Sequence, residues 1–152
     1  MSSESCEMDL RLRASWTEPE LAAIRHSLFV RYQAADKYWV QQIDPDYVYG
    51  LIESGGIPAV ITEGYLIVFD VSIPWHNPNV RVLDERMVLR ISPNPGKFSS
   101  VVTSLDILAK AYECHAIAVG DALQGDSRLE RVYERYGFAK QCNQLMKGTP
   151  YG

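Results

Sequence analysis

Three cysteines, Cys6, Cys114 and Cys142, are too few and too scattered for a disulfide framework or a tetrahedral metal site, and their odd number leaves at least one thiol unpaired. Histidine is equally sparse, with three residues, and no apolar run approaches the roughly 20 residues that a membrane-crossing helix needs. Neither sign of charge dominates. Fifteen Lys and Arg against nineteen Asp and Glu leave a net charge of −4 with no basic cluster, which gives a phosphate-backbone partner little electrostatic support. Residues 1–9 are polar and acidic where a secretory leader would be basic and then apolar. The expectation is a protein of the reducing cytoplasm with no nucleic-acid partner, no membrane partner and no metal. What is present is an apolar content of 47% in 152 residues, enough for one domain that buries roughly two-thirds of its chain surface. No repeat or low-complexity linker divides it. Residues 1–9 read as a flexible N-terminal segment, 10–147 as a single domain and 148–152 as a tail.

Local patterns supply an order of elements. Leu10 and Leu12 alternate with Arg11 and Arg13 as in a strand with one wet face. Thr17-Glu18-Pro19-Glu20 combines a cap, a first-turn proline and a glutamate three residues past the threonine, and Leu21, Ile24, Leu28 and Tyr32 follow at helical spacing. Asp44-Pro45-Asp46 repeats the device before Tyr47, Val48, Leu51 and Ile52, and Gly55-Gly56 stops that helix. The intervening residues 33–43 read as further helix or packed loop. Ala59 to Ile61, Tyr65 to Val71 and Arg81 to Ile91 are strands by their β-branched and aromatic content, the first two joined by a Glu63-Gly64 turn. Beyond Pro93, Pro95 and Gly96, a helix places Val101, Leu105, Leu108 and Tyr112 on one face; His115 to Val119 reads as a short buried strand.

The segment from Asp126 to Phe138 then reads as a short helix capped at Asp126 or Ser127, with Glu130 at capping-box spacing from Ser127, and ended by Gly137 before a last strand from Ala139 to Met146. This run resembles the C-terminal signature of the GCN5-related N-acetyltransferases, Asn-x-x-Ala-x-x-Leu-Tyr-Glu-Lys-x-Gly-Phe. Val132, Tyr133, Glu134, Arg135, Gly137 and Phe138 fit it, while Asp126 stands for its Asn and Leu129 for its Ala. The element order, β-α-α-β-β-β-α-β-α-β, is also that of the family from Leu10 to about Lys147. The resemblance implies an α/β (α+β) fold with a mixed, mostly antiparallel sheet flanked by helices, and acetyl-CoA as co-substrate. It implies that the fourth and fifth strands splay, that the pantetheine arm pairs with the backbone of Leu89, Arg90 and Ile91, and that Tyr133 protonates the departing sulfur. The pyrophosphate would lie at the N-terminus of the helix beginning near Ser99, where open amides and the helix dipole favour an anion.

The phosphate loop departs from the family pattern, in which glycines let the backbone close on the phosphates. Here it reads Asn94-Pro95-Gly96-Lys97-Phe98-Ser99-Ser100, with Phe98 at the first of those glycines and Ser100 near the second. Gly96, Lys97, Phe98, Ser99 and Ser100 are the candidate phosphate contacts; alternatively both serines cap the helix. Glu85 is the candidate base. In a regular strand Leu83, Glu85, Met87, Leu89 and Ile91 share a face, so Glu85 is a carboxylate on an apolar surface; a bulge would reverse the parity and turn Asp84 inward. His115 could relay a proton, His76 could meet the acceptor, and His26 reads as surface or helix contact. Cys114 and Cys142 read as packing residues. Two functions follow: an acyl-CoA-dependent N-acetyltransferase acting on a small-molecule or peptide amine, or a degenerate member serving as a structural or interaction module. Some phage-encoded relatives, including virion-type proteins, look similar in the eroded loop. The second function predicts an exposed patch around Trp75, Trp39 or Tyr38 that buries against a protein partner; many members of the family pair through their sheets, so a homodimer is a separate expectation of the resemblance.

Overall fold

The computed structural model describes residues 10–120, 128–142 and 144–151. Five strands form one open sheet in the order β1 (Arg11–Leu12), β2 (Ala59–Thr62), β3 (Tyr65–Ser72), β4 (Val82–Arg90) and β5 (Ala116–Ala118), all neighbours antiparallel except β4 and β5. The helices α1 (Glu18–Gln33), α2 (Tyr38–Gln41) and α3 (Pro45–Ser54) separate β1 from β2 in sequence. Helix α4 (Ser99–Ala111) joins β4 to β5, and α5 (Arg128–Glu134) follows. This is the mixed α/β arrangement expected, an open and mostly antiparallel sheet flanked by helices.

Both faces of the sheet are packed. On one, Ile61, Leu66, Val68, Met87 and Leu89 meet Ile24, Leu28 and Ile52 of α1 and α3; on the other, Val60, Ile67, Phe69, Leu83 and Val88 meet Val101, Leu105 and Leu108 of α4 and Tyr133 of α5. The helices begin as their residues dictate. Thr17 accepts from the Glu20 amide while the Glu20 carboxylate accepts from the Thr17 amide, a complete capping box. Asp44 caps α3 through the Tyr47 amide, and Gly55 ends it at φ +80°.

Several expectations are corrected. Strand β1 ends at Leu12, which is 65% exposed because the chain turns there into a 3-10 turn, Arg13–Ser15. Tyr32, Tyr47 and Tyr112 stand largely exposed at the margins of their helical faces. Strand β5 is half exposed rather than buried, because it is an edge strand: among the described residues no strand follows α5, and residues 139–142 and 144–146 run as irregular chain. The proposed caps Asp126 and Ser127 lie outside the described residues, whereas Gly137 does stand beyond α5 at φ +96°.

The sheet register decides which side chains share a face at β4. A bulge opposite Val68 and Phe69 pairs Met87 with Val68 and Glu85 with Phe69, leaving Arg86 as the extra residue. Leu83 and Glu85 lie before it and keep the α4 and α5 face; Met87 and Leu89 lie after it and pack on the α1 face. Asp84 therefore does not turn inward. It accepts from the Ser72 hydroxyl at 2.5 Å and lies 4.0 Å from Arg86, which also pairs with Asp70 at 2.9 Å.

Candidate active site

Strands β4 and β5 pair only through Val82, Leu83 and Asp84 with Ala116, Ile117 and Ala118. Among the described residues, no strand lies beside that edge of β4 from Glu85 onward. The space so opened is a cavity of about 910 Å³ between α1, the end of β4, Phe98 and α5. Ladder alternation fixes which backbone groups face it. The Ile91 amide donates to Gly64 at 2.9 Å and Leu89 pairs with Leu66, so both residues turn their backbone to β3. Val88 and Arg90 turn theirs to the cavity, where the Arg31 guanidinium donates to the Val88 carbonyl at 3.2 Å and the Ser27 hydroxyl to the Arg90 carbonyl at 3.0 Å. Of the expected trio Leu89, Arg90 and Ile91, only Arg90 offers backbone to the cleft, and Val88 joins it.

The two candidate catalytic side chains meet where the strands part. Tyr133, 1% exposed, lies with its hydroxyl 3.5 Å from the Glu85 carboxylate, a long contact at the limit of a hydrogen bond. The Gly120 amide donates to the same Glu85 oxygen at 3.4 Å. Burial pushes the Tyr133 phenol well above its ordinary pKa, and the adjacent negative charge and hydrogen bond of Glu85 push it further. The Arg31 guanidinium is held below its usual range by burial and is drawn back up by the Glu85 charge. A carboxylate, a phenol and a half-buried cation thus gather where β4 and β5 part, with Arg31 in the wall of the cleft.

The loop leading into α4 is built against the β2–β3 turn. The Gly96 amide donates to the Glu63 carbonyl at 2.8 Å, and its carbonyl accepts from the Tyr65 hydroxyl at 3.0 Å. Its lack of a side chain is used there, since a Cβ would run into the Glu63 side chain. Lys97 is exposed, and its carbonyl accepts from the Ser100 amide at 3.0 Å. Phe98 occupies the N-cap position of α4 with no side-chain cap, so Ser99 and Ser100 lie inside the first turn and do not cap it. The Phe98 ring packs edge-on against Tyr65 at 5.8 Å and Tyr133 at 5.4 Å, forming a wall of the cavity.

Other candidates fall elsewhere. The His115 amide donates to the Arg81 carbonyl at 2.8 Å and its Nδ1 accepts from the Arg81 amide at 3.0 Å, which pins the start of β5. His76 and the 96% exposed Trp75 lie on the β3–β4 connection; Trp39 and Tyr38 belong to α2. Cys114 packs against the core beneath α4 with its thiol pushed up chiefly by burial, and Cys142 is exposed. Among the described residues no cluster of His, Cys, Asp and Glu is placed to hold a metal ion, and no helix is long and apolar enough to cross a membrane. Sequence reading missed Ser27 and Arg31, four residues apart on the polar flank of α1, and His26 and Arg128, which also line the cavity. Only the sheet order reveals them, because nothing in their local pattern distinguishes them from surface residues.

No protein-family model and no curated protein sequence matches the chain. Solved structures do. A ribosomal-protein-alanine N-acetyltransferase of Brucella melitensis biovar Abortus superposes with a TM-score of 0.63 at 13% identity, over 94% of this chain and 98% of its own. Glucosamine-6-phosphate N-acetyltransferase of Arabidopsis thaliana gives 0.57 at 16% identity, over 93% and 98%. A protein of Clostridium acetobutylicum described as a predicted acetyltransferase, solved with acetyl-CoA, gives 0.54 at 18% identity, over 93% and 96%. At such identities the likeness concerns the backbone, and it extends over nearly the whole of each molecule. The chain has the fold of the GCN5-related N-acetyltransferases.

Proposed function

We propose that the protein is an acyl-CoA-dependent N-acetyltransferase that moves an acetyl group directly to a primary amine within one ternary complex. The observation that carries this reading is the β4 edge, unpaired beyond Asp84 among the described residues, opening into a cavity of about 910 Å³ whose lining residues Arg31 and Phe98 adjoin the Glu85–Tyr133 pair. The volume lies within the range of about 300–1,000 Å³ usual for ligand sites, and Phe98 stands in its wall, not across its middle. An extended thioester arm fits such a cleft: its amides would meet the Val88 and Arg90 backbone in place of Arg31 and Ser27. The bound thioester would supply an electrophilic carbonyl and a thiolate leaving group.

The chain's own residues then handle protons. Glu85, kept near a cation by Arg31, accepts the proton that the attacking amine sheds as its nitrogen bonds to the acyl carbon. Tyr133, whose raised pKa keeps it protonated, holds the proton that the sulfur takes up as the carbon–sulfur bond breaks. Passage of the Glu85 proton across the 3.5 Å contact restores the phenol, so one proton has moved from amine to thiol and the balance closes. That contact shortens when the cleft closes on its ligands.

Calorimetric titration with acetyl-CoA tests the reading, followed by release of free thiol from a panel of small-molecule and peptide amines. Binding at micromolar levels is expected, together with amine-dependent thiol release. A further variant, Val132→Trp, fills the cleft from α5 and abolishes both. Absence of binding by a folded wild-type protein would leave the scaffold reading, in which the fold acts through a protein partner.

A further inference from the structure

The glycine loop that would cradle phosphates is absent as such, and its surviving glycine is already committed. The Gly96 amide is spent on Glu63 and the Ser100 amide on Lys97, so two of the backbone donors at the head of α4 point into the protein's own structure. The cleft has a different source of positive charge. Arg90 at the end of β4 and Arg128 at the start of α5 line the same cavity, together with His26 of α1 and with Asp36, the carboxylate among its lining residues. This gathering is notable in a chain whose overall charge is −4. Arg31 also lines it, but its guanidinium bonds the Val88 carbonyl and faces Glu85, which assigns it to the head of the cleft.

Resting on the acyl-CoA reading, we infer that the phosphates of the nucleotide thioester are held by the side-chain cations Arg90 and Arg128, with His26 beside them, in place of loop amides. The arm enters along β4, so a phosphate-bearing end emerges between the exposed guanidinium groups of β4 and α5, whose planar forks match phosphate oxygens. Side chains do this without close backbone approach. Phe98 is thereby compatible with the cleft, because the ring lies where amides would otherwise have closed on the diphosphate. Binding through charges at a solvent-facing mouth is screened by salt, whereas binding through buried amides is screened much less.

The test is calorimetry of coenzyme A on the wild type and on Arg90→Gln, Arg128→Gln, the double variant and Lys110→Gln, a charge control in the last turn of α4. Titrations run at ionic strengths from about 0.01 M to about 1 M, over which the Debye length falls from about 30 Å to about 3 Å. Each arginine variant is expected to weaken binding about ten-fold at low salt, the strength of a charge-assisted contact. The double variant loses most of the salt dependence, and Lys110→Gln follows the wild type. Wild-type affinity and salt slope in the double variant would overturn the inference and leave the acyl-CoA reading standing. An equal loss at all salt concentrations would also overturn it, by marking the arginines as structural. Failure of the folded wild type to bind coenzyme A at any ionic strength would overturn both.

Discussion

At the scale of single residues, the site is a phenol at 1% exposure beside a carboxylate. Tyr133→Phe removes only the hydroxyl, so the ring contacts with Phe98 and Phe138 persist and acetyl-CoA affinity is expected to change less than two-fold, roughly the scatter of neutral surface contacts. Turnover falls by about 10²–10⁴, the usual contribution of a positioned acid. Glu85→Gln lowers turnover on the same scale. If the two groups form one relay, the double variant is little worse than either single one, and full multiplication of the two losses in steady-state kinetics would refute the relay. The phenol also makes a pH prediction. Its folded pKa is raised, so its contribution to stability is complete below the unfolded value of about 10 and is lost as pH rises above it. Wild type is expected to exceed Tyr133→Phe by about 1 kcal/mol near neutrality, the net worth of one hydrogen bond. Denaturant titrations should show that gap closing above about pH 10. A gap independent of pH would mean that the phenol ionises freely in the folded state.

At the scale of elements, turn and cap chemistry was legible and edge chemistry was not. Thr17, Glu20, Asp44, Gly55 and Gly137 act through neighbours a few positions away, and each does in the structure what its local pattern announces. The fate of residues 139–142 and 144–146 depends on what lies across the sheet, which no local pattern encodes. Glu85 shows the same division: its face depends on whether the bulge comes before or after it, and only the register with Phe69 answers that. The role of Phe98 was not legible either, because sequence places it at a glycine position without revealing that Tyr65 and Tyr133 hold its ring edge-on. Two predictions belong here. Thr17→Ala removes the side-chain half of the capping box, the hydroxyl that accepts from the Glu20 amide, and should cost about 1 kcal/mol of unfolding free energy by denaturant titration. Gly64→Ala meets a left-handed φ of +86° and a Cβ 2.9 Å from the Pro95 Cα, so the β2–β3 turn and the loop behind it must separate. A loss of about 1–3 kcal/mol is expected, and a variant as stable as wild type would show that the loop's seat against that turn is unimportant.

At the scale of the whole molecule, the sheet is held together on one side of the cleft by long antiparallel ladders and on the other by three parallel pairs alone. Strand β5 therefore joins the sheet through the Val82–Asp84 segment, and β5 and α5 are otherwise tied to the rest of the fold by the packing of Ile117, Leu129 and Tyr133 on the α4 face of the core and by the contacts of Tyr133 with Phe98 and Glu85. A ligand lying along β4 would touch α1, β4 and α5 at once and so would couple the two sides, adding a term that the ligand-free fold lacks. At 100 times its dissociation constant it should stabilise the native state by about 2.7 kcal/mol. For a domain of this size that corresponds to a rise of about 5–10 °C in melting temperature, at roughly 2–4 °C per kcal/mol. Hydrogen exchange locates the effect: slowed exchange is expected at the Val88 and Arg90 amides and through α5, with the distant α3 unchanged. A melting temperature unmoved by saturating acetyl-CoA would mean that the cleft is not bridged, and the open edge of β4 would then have to be explained by a protein segment pairing with it as an added strand.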